Sequence, residues 1–284
     1  MTLREALAHG FSQFLASPQL RDSALLDAAY LLRHTLTITQ ASLLADYDRI
    51  LTPAEQADYQ SLISRRLTHE PVQYITGERE FYGLPLRVNP AVLIPRNSTE
   101  VLVEAVLEEM KPRANEALRI VDVGTGSGAI AIALAHHLPH AQLTALDLSP
   151  EALEVAASNA ALNIVAGRIR FLESDLLTAV SEEPAFDAVI SNPPYIPSSD
   201  RDSLHPQIRD FEPDVSLYGG LAGLDIYRRL IPQAKAALKP KGLLAMEIGY
   251  RQRDAILELL ADWNDVRLVE DLEQITRVVI TRKP

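Results

Sequence analysis

The sequence predicts an α/β fold: a mostly parallel sheet of seven strands covered by helices, with a small helical bundle in front of it. Three observations carry this expectation. From residue 118 onward, short apolar runs alternate with helical patterns, the signature of strands joined by helical crossovers. A glycine turn, Gly124-Thr125-Gly126-Ser127-Gly128, separates the first such run from an apolar helix. Residues 1–70, by contrast, show only helical periodicity, with Leu3, Leu7, Phe11, Phe14 and Leu15 on one face.

The elements follow in order. Asp22 or Ser23 can cap a second helix through Leu25, Leu26, Ala29, Tyr30, Leu32 and Leu36. Thr52-Pro53-Ala54-Glu55 starts another: a Thr cap, a proline at the first helical position and a glutamate three residues after the cap. That helix should reach about His69 and stop before Pro71. Glu80-Phe81-Tyr82, Gly83-Leu84-Pro85 and Leu86-Arg87-Val88 read as strand, turn, strand. Ser98 or Thr99 opens a helix to Met110. Strands are expected at Leu118–Val123, Gln142–Leu146, Ile169–Leu172, Ala185–Ser191, Gly242–Ile248, Val266–Glu270 and Arg277–Thr281. Helices are expected at Ala129–His137, from Pro150 through Leu162 behind a Ser149 cap, and at Leu221–Leu238. The expected domains are a helical domain at 1–75, a hairpin linker at 76–95 and an α/β domain at 96–284.

Composition narrows the class. Of 284 residues, 47% are hydrophobic and 23% charged, which is ordinary for a globular chain. No apolar run reaches the length of a membrane span. Cysteine is absent, which removes disulfides and Cys-based metal sites and makes the cytoplasm the expected compartment. The net charge of −11 argues against a phosphate-backbone binder. Seven histidines are present, but His136, His137 and His140 sit at a helix end, where cations are favoured, so no metal is expected.

The glycine turn fits the pattern G-x-G-x-G, and with Ala129 also G-x-G-x-x-[GA]. It suits either a dinucleotide or S-adenosylmethionine. Asp147 ends the second strand, where a carboxylate can accept both ribose hydroxyls. Asp175 follows the third strand and can accept from an adenine amine, with Leu176 lining the ring. The fourth strand then runs into Asn192-Pro193-Pro194-Tyr195. Two prolines can neither continue a helix nor pair inside a sheet, so a rigid aromatic-tipped loop must stand at the sheet edge.

At that point the sequence resembles the class I (Rossmann-like) methyltransferases whose N-P-P-[YF] loop methylates a planar nitrogen. The likeness continues through Arg79-Glu80-Phe81-Tyr82-Gly83-Leu84-Pro85-Leu86, Leu93-Ile94-Pro95-Arg96, Thr99-Glu100, Phe211-Glu212-Pro213 and Glu247-Ile248-Gly249. These match the PrmC/HemK family of release-factor glutamine methyltransferases over nearly the whole chain. Asn97-Ser98 stand where the family has Pro-Asp or Pro-Glu. Glu273–Arg277 lack the Gly and the Asp that the family carries before its last strand.

The resemblance implies a cofactor, S-adenosylmethionine, with S-adenosylhomocysteine as product, held by Gly124, Thr125, Gly126, Ser127, Gly128, Asp147, Asp175, Leu176 and Asn192. It implies a substrate: the glutamine of the Gly-Gly-Gln tripeptide of class 1 release factors, engaged by Asn192, Pro193, Pro194 and Tyr195. A carboxamide nitrogen is a poor nucleophile, so the site must hold it in line with the methyl group and stabilise the positive charge that develops on it. Asn192 through its side-chain oxygen and Pro193 through its carbonyl can each accept one N–H, while Tyr195 packs on the amide face. Glu247 is expected to support the rim. The rival readings are a ribosomal-protein glutamine methyltransferase, a nucleic-acid amino-methyltransferase and a catalytically silent cofactor-binding module. Nothing in the sequence demands more than a monomer.

Overall fold

The computed structural model describes residues 1–183 and 185–284. The chain forms two compact units: Met1–Gly77 with Ser203–Phe211, and Glu78–Asp202 with Glu212–Pro284.

The first unit holds five helices from the amino-terminal stretch: α1 (Leu3–Leu15), α2 (Ala24–Leu36), α3 (Gln40–Ala45), α4 (Pro53–Leu67) and α5 (Val72–Thr76). Thr2 and Thr52 each close a capping box, with Glu5 and Glu55 as the returning acids. α4 ends at Leu67, two residues before the expected stop, because His69 takes a left-handed backbone. Leu3, Phe14, Leu31, Leu32, Leu43, Tyr59 and Ile63 form the core of the unit. One buried cation is satisfied within it. Arg66 donates to Asp27 at 2.8 Å, to the Glu70 carbonyl at 3.1 Å and to Gln207 at 3.2 Å. Gln207 belongs to α9 (Pro206–Arg209), in the 203–211 segment, where a ring nitrogen of His205 also lies 2.9 Å from the Gln19 carbonyl.

The second unit begins with a hairpin, β1 (Glu78–Phe81) and β2 (Leu84–Arg87). The turn is Tyr82-Gly83, earlier than expected. Both residues have positive φ, the two-residue geometry whose twist matches that of paired strands. The hairpin docks through Asn159, whose side chain bonds both the N–H and the carbonyl of Arg87.

The rest of the second unit runs α6 (Asn97–Met110), β3 (Arg119–Val123), α7 (Ala129–His137), β4 (Gln142–Asp147), α8 (Pro150–Leu162), β5 (Ile169–Glu173) and β6 (Phe186–Ser191). Then come α10 (Asp214–Leu217), α11 (Asp225–Ala237), β7 (Leu238–Glu247), α12 (Arg253–Leu259), β8 (Asn264–Glu270) and β9 (Thr276–Arg282). The sheet has seven strands in the order β5-β4-β3-β6-β7-β9-β8, parallel except at β9. α11 starts four residues later than expected. The carbonyls of Ala222 and Gly223 are taken by Gln252, and Gly223 has a left-handed φ, so residues 221–224 turn rather than wind.

The register sets up the site. β3 lies between β4 and β6, so the strand order reverses beside it, and open α/β sheets bind ligands outside the carboxyl ends of the strands at such a switch. Val123 pairs with Leu146 on one side and with Ser191 on the other, and Ser191 pairs with Met246. The next residues along these strands, Gly124, Asp147, Asn192 and Glu247, therefore stand at one level, at or just past the strand ends.

Candidate active site

These strand ends open onto a cleft. Its walls include Gly124, Gly126, Asp147, Asp175, Leu176 and Asn192. Leu148 and Val215, both exposed, form part of its rim. A smaller cleft shares Gly124, Gly126 and Asn192 with the first and adds Thr125, Ser127, Pro95 and Thr99. Gly128 stands apart from both: a Cβ there would strike Ile132 and Ala156, so its work is close packing of α7 on α8.

The residues present fit S-adenosylmethionine. Gly124 and Gly126 have positive φ, and a Cβ built on either meets no protein atom within 4 Å. Side chains there would fill only the cleft, so the glycines keep open the space a ligand needs. Asp147 is half-buried. One oxygen accepts the Gly126 N–H at 2.8 Å and the other the Ser149 N–H at 3.0 Å. A carboxylate has about four acceptor positions, so two remain for a diol. Asp175 is tied to Arg229 through one oxygen at 2.5 Å, and Leu176 holds a left-handed backbone, φ +52°. Non-glycine strain of this kind clusters at ligand sites.

Beneath the glycine turn lies Asp122, fully buried. Its Oδ2 accepts from the Thr125 hydroxyl at 2.6 Å, while its Oδ1 has no hydrogen-bond partner among the described residues. Burial pushes its carboxyl up to about 7.

The loop after β6 is held from several sides. Asn192 donates through Nδ2 to the Thr99 hydroxyl at 3.0 Å, and Thr99 donates to Glu247 Oε2 at 2.6 Å. The Tyr195 hydroxyl donates to Glu247 Oε1 at 3.3 Å. Its ring packs against the core cluster that contains Ile248 and Tyr227, and the walls of the two clefts do not include it. Gln252 donates to the Tyr195 carbonyl at 2.9 Å. Burial drives the Glu247 carboxyl up, with Thr99, Tyr195 and Arg277 pulling against it. Burial and the nearby Glu247 charge raise the Tyr195 hydroxyl.

Three residues of this assembly carried no assigned role in the sequence. Thr99 was legible only as a helix start and in a family match, Gln252 not at all, and Glu212, which holds Ile94 and Arg96, only as part of a family match. Their long-range partners lie 29 to 148 positions away along the chain, and no local pattern marks such pairs.

The fold and the loop define a class I, S-adenosylmethionine-dependent methyltransferase. Residues 5–77 match the PrmC N-terminal domain and residues 97–206 the methyltransferase small domain. The chain is 45% identical over 284 residues to the release factor glutamine methyltransferase of Koribacter versatilis, covering 100% of this chain and 99% of that protein. It is 44% identical over 259 residues to the protein of that name from Moorella thermoacetica, covering 91% and 89%. The chain belongs to the release factor glutamine methyltransferase family. Among solved structures, the 16S rRNA N2 G1207 methyltransferase of Thermus thermophilus superposes with a TM-score of 0.54 at 19% identity, covering 73% of this chain and 50% of that one. A methyltransferase from Pyrococcus furiosus gives 0.52 at 19%, covering 80% and 98%. Likeness at that level shows the fold.

Proposed function

We propose that this chain methylates the side-chain amide nitrogen, N5, of the glutamine in the Gly-Gly-Gln tripeptide of class 1 peptide chain release factors. The observation that carries the reading is the position of Asn192. It stands level with Gly124 at the switch point, on the wall of both clefts, with its Nδ2 committed to Thr99. Its Oδ1 is then the end left to meet a substrate N–H.

S-adenosylmethionine, when bound, supplies an electrophilic methyl group on a sulfonium. The chain does the rest. Gly124, Thr125, Gly126 and Ser127 bound the cofactor; Gly128 fixes the turn. Asp147 accepts from the ribose, and Asp175 with Leu176 frames the adenine. Asn192 Oδ1 and the Pro193 carbonyl accept the two N–H groups of the glutamine amide. Both turn their negative ends toward the nitrogen as positive charge grows on it, which is electrostatic preorganisation. Pro193 and Pro194 keep the carbonyl from wandering. Tyr195, tied by its hydroxyl to Glu247, fixes the far end of the loop. S-adenosylmethionine, held by Gly124, Gly126, Asp147, Asp175 and Leu176, would supply the methyl group to the nitrogen that Asn192 and Pro193 hold, with S-adenosylhomocysteine as product and one amide proton passing to solvent.

We read residues 1–75 as an N-terminal helical domain, 76–95 as a hairpin linker and 96–284 as the methyltransferase domain. The protein works as a cytoplasmic monomer without metal or nucleic acid; the charge of −11 favours a protein substrate over a polyanion. The test is a parallel assay with tritiated S-adenosylmethionine against a class 1 release factor, ribosomal protein and DNA. Label is expected on the release-factor glutamine. Label on ribosomal protein or DNA with none on the release factor overturns the assignment.

A further inference from the structure

Glu247 is fully buried at the end of β7, and hydroxyl groups surround its carboxylate: Thr99 at 2.6 Å, Tyr195 at 3.3 Å and Ser98 at 3.4 Å. Among the described residues no lysine or arginine forms an ion pair with it. A buried carboxylate with no ion-pair partner, drawn on only at longer range by Arg277, is expensive to keep, so its presence asks for a reason other than stability. Asn192 supplies one. The Thr99 hydroxyl has a single hydrogen and stands between the Glu247 carboxylate and the Asn192 amide.

We propose that Glu247 is a positioning residue that acts through Thr99 to dictate which end of the Asn192 amide faces the transferring nitrogen. The inference rests on the reading of Asn192 as the group that accepts from that nitrogen. Thr99 donates its one hydroxyl hydrogen to Glu247 Oε2 at 2.6 Å, so that hydrogen is spent there. The Thr99 oxygen can then only accept from Asn192, and the NH₂ end of the amide is drawn to it. The carbonyl end is left for the substrate. The reversed amide would place two acceptors against one hydrogen. The chain also runs from a negative group through two donors to Asn192 Oδ1, and bonds aligned in this way polarise one another. Because Tyr195 bonds the other Glu247 oxygen, a single side chain fixes both ends of the loop.

Glu247→Gln separates this role from packing. It keeps the shape and removes a buried charge, so a packing role leaves turnover unchanged. The new amide can instead donate to Thr99, which turns the Thr99 hydrogen toward Asn192 and lets that amide reverse. Two donors then face each other across the site. With tritiated S-adenosylmethionine and a class 1 release factor, kcat is expected to fall about 100-fold. Cofactor affinity by calorimetry stays within about threefold, since none of the exchanged bonds touches the cofactor. Thr99→Val cuts the chain in the middle and should lower kcat likewise. Thr99→Ser keeps the hydroxyl and should retain most turnover. The Glu247→Gln, Thr99→Val double variant should be no worse than the poorer single, as expected of residues acting in series. Wild-type kcat in Glu247→Gln while Asn192→Ala is inactive overturns this inference alone. Turnover retained by Asn192→Ala overturns the reading beneath it and this inference together.

Discussion

Glu212 and Ile94 lie 118 residues apart in sequence, yet the Glu212 carboxylate accepts the Ile94 N–H at 3.2 Å. Its other oxygen holds Arg96. Glu212 is buried, so the strap from Leu93 to Arg96 is fastened from below, and Leu93 and Pro95 reach the cleft walls. Glu212→Ala leaves the Ile94 N–H and Arg96 without a partner. The expected loss is about 2 kcal/mol, because Arg96 is partly exposed and can rehydrate. Urea unfolding measures it. A raised KM for S-adenosylmethionine should accompany it as Leu93 loosens. Glu212→Gln keeps one acceptor and should fall between the two. A Glu212→Ala variant with wild-type stability would contradict the strap.

Asn192→Ala removes the acceptor aimed at the nitrogen and nothing that Gly124 or Asp147 holds. Turnover should fall by about 10² to 10³, with cofactor affinity kept within a few-fold. Equal losses in kcat and in calorimetric affinity would place Asn192 in cofactor binding instead.

Asp147→Ala makes the opposite expectation. Losing hydrogen bonds to a charged acceptor should weaken S-adenosylmethionine by about 2 kcal/mol, more than tenfold in Kd. Calorimetry with unchanged affinity would refute the ribose role.

Asp122 gives a pH dependence. Its folded value is pushed up to about 7, against 3.8 as the ordinary value. Between these two values the folded state keeps a proton that the unfolded state has lost. Stability therefore falls as pH rises through that window and is level above it. The full drop corresponds to about 4 kcal/mol at 1.36 kcal/mol per unit. Asp122→Asn cannot ionise, so the difference in unfolding free energy between the variant and the wild type should grow from pH 4 to pH 7 in the variant's favour. A constant difference over that range would show that Asp122 does not titrate there.

Gln274 offers a stability gain. It has φ +59° in an exposed turn, within the 273–277 stretch that lacks the family's glycine. A side chain in this region is strained by about 1–2 kcal/mol, and glycine gives part of that back as chain entropy. Gln274→Gly should stabilise by roughly 0.5–1 kcal/mol, read as a rise in the urea midpoint. A loss of stability would mean the Gln274 side chain does more than the turn requires.

Strand–helix alternation was readable because apolar runs bounded by Gly and Pro leave few other options. Ala129–His137 begins and ends where its pattern does, and Ser149 caps its helix as its residue type suggests. Places where the sequence misled share a cause: a backbone committed to a distant side chain. Gln252 unwinds residues 221–224, which read locally as helix. Tyr82 accepts a left-handed φ and its N–H goes to Glu100 at 2.8 Å, which shifts the hairpin turn. For the site, Asn192, Asp147 and Gly124 announce themselves through motifs at strand ends. Thr99 and Glu212 do not, because their task is defined by a partner that only the folded chain supplies.

The chain passes from one compact unit to the other three times, after Gly77, after Asp202 and after Phe211. The first unit is therefore a discontinuous piece of chain, and no single cut frees either one. A fragment starting at residue 78 would still carry 203–211 but would have lost Arg66 and Gln19, which hold Gln207 and His205. This enzyme is not modular in the sense a gene fusion needs. Its helical portion cannot be exchanged as a cassette without also grafting nine residues from the middle of the catalytic sequence.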